Sequence, residues 1–112
     1  MSRRTIITKR IKATGNHVLE IEMYYSPGGQ NMFNGMKEPR GYWLSITPIE
    51  IDTNTHLEAI TLGRGRKMFL AQTKIDRKEG KAEKEAIRLA AIHEAHLLKS
   101  VCCDEKLELL NE

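Results

Sequence analysis

HVLEIEMYY, residues 17–25, is the stretch on which the fold turns. Leu19, Ile21, Met23 and Tyr25 alternate with Val18, Glu20, Glu22 and Tyr24. A period of two, with one apolar face and one partly charged face, is the pattern of a strand in a sheet covered on one side. Upstream, TIITKRIKA (5–13) is β-branched and basic and is also expected to be a strand, with Ile7 and Ile11 on one face. Thr14-Gly15-Asn16 between the two has the composition of a tight turn, so they are expected to form a hairpin.

Downstream, Pro27, Gly28, Gly29, Gly35 and Pro39 punctuate Ser26 to Arg40, about 15 residues that read as a long irregular loop. GYWLSITPIEI (41–51) is expected to be a third strand. Tyr42, Leu44 and Ile46 face one way and Trp43, Ser45 and Thr47 the other. Pro48 has no N–H for a ladder, so the strand is expected to end, bulge or meet an edge there. DTNT (52–55) reads as a turn and HLEAITL (56–62) as a fourth strand. KMFLAQTKI (67–75) is the fifth, joined to the fourth in a hairpin through Gly63-Arg64-Gly65-Arg66.

The rest is helical. Asp76 and Glu79 make a capping-box-like pair. Ala82, Ala86, Leu89, Ala90, His93 and Leu97 recur at helical spacing, widened by Ile87, Ala91, Leu98 and Cys102. So broad a stripe suggests one face on the sheet and a second on something else, such as a second copy. Asp104 to Leu110 is expected to begin a short final helix, with Leu107 and Leu110 docking back. The expected fold class is therefore α+β. An antiparallel sheet of four to five strands (about 5–75) is followed by one long C-terminal helix (about 77–101) packed on one face, with a tail at 104–112. The whole of 1–112 is expected to be a single domain, a size at which 40% hydrophobic residues supply a modest core.

Composition narrows the function. Cys102 and Cys103 are adjacent and have no other cysteine to pair with, so a disulfide framework is excluded and a reducing, cytoplasmic setting is expected. No apolar run approaches a signal peptide or a membrane span. Residues 1–75 carry eleven Lys and Arg against six acids, a net of +5, whereas residues 76–112 carry seven against nine. The sheet is thus cationic and the helix mixed.

Catalytic signals are weak. His93 and His96 share a helix face at i, i+3, but the ligand set is incomplete and the spacing is not that of a zinc protease helix. The cysteines sit near a helix C-terminus beside Asp104 and Glu105, which disfavours a thiolate. No P-loop, dinucleotide fingerprint or nucleophile elbow is present. The expectation is a non-catalytic chain without metal or cofactor.

The long loop carries the strongest functional signal. Tyr24 and Tyr25 lead into it, Phe33 lies within it, Tyr42 and Trp43 leave it, and Lys37 and Arg40 are interleaved. Aromatic faces stack on unpaired bases and cations hold phosphates. A second cationic segment, Arg64, Arg66 and Lys67, is expected at the same end of the sheet, and Arg3, Arg4, Lys9, Arg10 and Lys12 open the chain. The expected interface comprises Tyr24, Phe33 and Trp43 as stacking residues. Lys37, Arg40, Arg64, Arg66 and Lys67 are its phosphate contacts, with single-stranded nucleic acid as ligand. The competing expectation is a protein-interaction module that uses the broad helix face for a host partner or a homodimer.

Two resemblances attach to these residues. The run Asn31, Phe33, Gly35, Glu38, Pro39, Arg40, Gly41, Tyr42, Trp43, Leu44 ahead of a Lys/Ala/Glu-rich helix resembles small uncharacterised proteins of Bacteroides-type bacteria and their mobile elements, over most of 24–100. It implies no activity. Ile21 to Tyr25 followed by Lys37, Pro39, Arg40, Gly41, Leu44 and Ile46 is similar to the single-stranded-DNA-binding transcriptional coactivators, which implies DNA binding by a sheet with a helix. In that family the helix follows soon after the motif, whereas here residues 56–75 intervene.

Overall fold

The computed structural model describes residues 3–30, 37–60, 65–71 and 79–110. Among these, the strands are β1 (Arg4–Ala13), β2 (His17–Ser26), β3 (Gly29–Gln30), β4 (Lys37–Glu38), β5 (Gly41–Ile51), β6 (Glu58–Ile60) and β7 (Arg66–Ala71), followed by one helix, α1 (Glu79–Glu105). The fold is α+β: an antiparallel sheet ordered β1-β2-β5, with β6 and β7 both on the far edge of β5, and the helix across one face.

Period-2 alternation sets the faces as expected. Leu19, Ile21, Met23 and Tyr25 from β2 and Tyr42, Leu44 and Ile46 from β5 point to the helix. They meet Ala86, Ala90, Leu97, Leu98 and Val101 there, with Ala82 and Cys102 at the margin. Ile87 and Ala91 are exposed, so the stripe that seals the core is narrower than the sequence stripe. On β1 a register shift between Thr5 and Ile7 changes the outcome: Ile6 and Ile11 pack on the core, and Ile7 is left 42% exposed.

Arg4 and Lys9 of β1 reach Glu83 (3.8 Å) and Glu94 (2.6 Å) on the helix. The outermost strand is thereby tied to α1 by charge. Such exposed pairs contribute little individually.

The β6–β7 hairpin expected from Gly63 and Gly65 does not form. Both strands pair antiparallel with β5 instead, Ile60 opposite Ile49 and Arg66 opposite Ile46. They are two parts of one interrupted edge strand, and the interruption falls where β5 carries Thr47 and Pro48. Pro48 has no N–H for either neighbour, and β5 itself runs on through it to Ile51.

The expected final helix is also absent. α1 continues to Glu105 and stops in a Schellman arrangement: the Leu107 amide donates to the Cys102 carbonyl (2.9 Å) and the Lys106 amide to Cys103 (3.4 Å). Lys106 takes φ 53° there, a position that favours glycine. The tail then pairs with the edge of β1. Leu109 bridges Ala13, the Leu110 amide donates to the Lys12 carbonyl (3.0 Å), and the Thr14 amide donates to the Glu108 carbonyl (2.9 Å). Lys106→Gly is expected to raise stability by roughly 0.5–1 kcal/mol by relieving the left-handed backbone. A higher urea midpoint with an unchanged m-value would show it.

Three exposed carboxyls are held below their ordinary range. Glu58 accepts hydrogen bonds from Arg10, Asp52 accepts from the Asn54 and Thr55 amides, and Glu85 accepts from Arg88. A carboxyl with a lower pKa in the folded chain stabilises the fold above its ordinary pKa, and that contribution is lost as pH falls through the folded value. Urea midpoints are therefore expected to be flat near neutrality and to decline as pH drops below about 5. Arg10→Gln is expected to make that decline shallower.

Candidate nucleic-acid interface

The long loop is more regular than its composition suggests. Ser26 pairs with Gly41 at the end of the β2–β5 ladder, and Gly29 pairs with Glu38 and Gln30 with Lys37. All three pairs share one register, so β3 and β4 extend the β2–β5 hairpin beyond a short break. Pro27 and Pro39 stand in the break, and neither has an amide hydrogen for a ladder. Arg40 sits there too, and Gly41 follows with φ 148°, a backbone region that L side chains rarely adopt. The hairpin break thus sets Arg40 at the rim of the sheet.

Its guanidinium Nε donates to the Tyr25 hydroxyl at 2.8 Å. Among the described residues no carboxylate pairs with Arg40. The same rim gathers cations from elsewhere in the chain. The Arg3 guanidinium lies 3.7 Å from the centre of the Tyr24 ring and also pairs with Glu22. Arg4 lies 5.9 Å from the Tyr25 ring. Lys67, although opposite Ser45, extends its Nζ to 5.1 Å from the Trp43 ring. Arg3 and Lys67 lie on the outer face, and Arg4 and Arg40 on the helix side. Each of the four is set against an aromatic ring or its hydroxyl (cation–π contacts for three of them).

The structure therefore rearranges the expected site. Arg40, Trp43, Tyr24 and Lys67 do come together. Arg66 does not: it stands opposite Ile46, six residues along from Arg40, or roughly 20 Å at strand spacing. It ion-pairs with Asp104 at the end of α1. The cationic segment and the loop thus do not share one end of the sheet. Lys37 lies in β4 opposite Gln30. Phe33 and Arg64, and the helix cap at Asp76, lie outside the described residues.

The stacking role is corrected for Tyr24 and Trp43. They are 3% and 9% exposed, so neither offers an open ring face in this conformation. Phe69 packs edge-on against Trp43 at 5.1 Å, and the indole N–H donates to the Pro39 carbonyl at 3.2 Å. Arg3 and Arg4 join the rim although the sequence groups them with the other N-terminal cations. Only the β1–β2 register, Arg4 opposite Tyr25, brings them here.

Charge on the rest of the outer face is largely balanced. Arg10 bridges Glu20 (2.9 Å) and Glu58. An open depression of about 440 Å³, lined by Arg3, Glu20, Glu22, Ser45 and Thr47 among others, carries both signs. Among the described residues no cluster of His, Cys, Asp and Glu could hold a metal ion, and no helix is long and apolar enough to cross a membrane. Cys103 is exposed; Cys102 is partly covered, and burial pushes its thiol pKa up. No protein-family model, curated protein or solved structure matches the chain, so its function is argued from this geometry.

Proposed function

We propose that this chain is a small nucleic-acid-binding protein of the cytoplasm that uses the rim formed by Arg3, Arg4, Arg40 and Lys67. The observation that carries the reading is Arg40. It is fixed in direction by a neutral phenol, and no described carboxylate neutralises it. The three neighbouring cations on Tyr24, Tyr25 and Trp43 extend it into a cationic edge. A cation held without a carboxylate partner is a ready contact for phosphate, whereas the ion-paired arginines elsewhere must first release an acid. Fluorescence anisotropy with labelled single-stranded DNA, duplex DNA and RNA, at about 50 and 200 mM salt, tests it. Binding that weakens steeply with salt supports the reading; no binding at the lower salt sinks it.

A second reading rests on a different edge. Leu57 and Ile60, at and beside β6, are 68% and 64% exposed. Apolar side chains this open next to a short edge strand suit a protein partner. Light scattering on wild type and Ile60→Asp tests the self-associating form. An assembly that the substitution dissolves would favour this reading.

A further inference from the structure

We propose, resting on the nucleic-acid reading above, that the rim contacts the phosphodiester backbone alone and reads no base. A protein that stacks bases needs open aromatic faces, and the rings at this rim have none to give. Tyr24, Tyr25 and Trp43 are 3%, 5% and 9% exposed. Arg3 lies 3.7 Å from the Tyr24 ring centre, and Lys67 and Phe69 lie 5.1 Å from Trp43. Tyr25 packs against Tyr42 at 5.2 Å between ring centres.

The polar groups that could read a base edge are engaged as well. The Tyr25 hydroxyl accepts from Arg40, and the Trp43 indole N–H donates to Pro39. The aromatic set is a platform that aims cations outward. What it aims is positive charge with no described base-reading donor or acceptor beside it.

Backbone contact without base contact predicts a definite ligand preference. Duplex DNA carries about one charge per 1.7 Å of axis, more than a single strand, so it binds at least as tightly. Sequence makes little difference, because phosphates are the same at every step. Tyr25 is a positioning residue in this scheme: it orients Arg40 and touches no ligand.

The test is anisotropy of the full chain with labelled oligo-dT, oligo-dA, oligo-dC and a mixed-sequence duplex, each of about 20 nucleotides. The expected result is affinities within about threefold of one another, duplex equal or tighter, and little change in Trp43 emission. The log–log salt slope on duplex should lie near −3 to −4 if all four cations engage phosphates, at about −0.9 for each. Tyr25→Phe keeps the ring and should weaken every oligonucleotide by the same factor of a few, with the slope unchanged. A preference of tenfold or more for one base, strong Trp43 quenching, or a Tyr25→Phe loss confined to one sequence would overturn the inference while leaving nucleic-acid binding in place. Absence of binding to all four at about 50 mM salt would overturn both.

Discussion

Replacing Arg40 and Lys67 together by glutamine is expected to lower nucleic-acid affinity about a hundredfold at low salt, roughly tenfold for each charge-assisted hydrogen bond to phosphate that is removed. The salt slope should fall by about 2, one for each phosphate no longer held. The fold should survive, because both side chains lie at the rim and neither belongs to the core cluster. Anisotropy titrations across a salt series measure both quantities, and a urea melt of the same variant checks the fold. Arg66→Gln provides the contrast. Arg66 stands about 20 Å along the edge from Arg40 and is paired with Asp104, so its loss should leave the slope nearly unchanged. If Arg66→Gln instead weakens binding as much as the double variant, the interface lies along the β7 edge and the rim assignment is wrong.

The second large effect concerns the core. Ile46→Ala is expected to destabilise the chain by about 2–5 kcal/mol. Ile46 is fully buried at the middle of β5, with Ile21 of β2 beside it in the ladder. β5 is the one strand that pairs with β2, β6 and β7. A cavity there strips packing from both the sheet and the helix layer, and neither layer can close the gap without breaking strand register. Urea denaturation monitored by far-UV circular dichroism would show a lowered midpoint. A loss well under 1 kcal/mol would mean that the helix is not seated on β5 as described. Ile60→Ala is the matching control: its side chain is largely exposed, and its loss should be nearly silent.

The two predictions separate the layers of the molecule. Stability depends on the inner face of β2 and β5 and on the buried stripe of α1, whereas the proposed binding depends on the rim. Tyr25 joins them, since its ring belongs to the core cluster and its hydroxyl holds Arg40. A core variant that loosens the packing of Tyr25 on Tyr42 should therefore also blunt binding.

The sequence by itself determined everything that follows from local period. Alternation along 17–25 and 41–47 put Tyr25, Tyr42 and Ile46 inward and Tyr24 and Trp43 outward, because successive strand side chains point to opposite faces. The turn at Gly15 and Asn16 and the 3.6-residue stripe of α1 were legible for the same reason. Pro27 and Pro39 were also visible as breaks. Their opposition across one hairpin was not, because register is a property of two strands together.

Tertiary structure decided the rest. Gly63 and Gly65 punctuate like a hairpin, yet β6 and β7 each pair with β5, whose long free edge offers a better ladder than two short strands can offer each other. Leu109 meets Ala13 across nearly the whole chain. Arg3 and Lys67 cover Tyr24 and Trp43 from distant strands, which turned residues expected to stack on bases into a support for cations. Pairing across distance is a competition among partners, and no local pattern records its outcome.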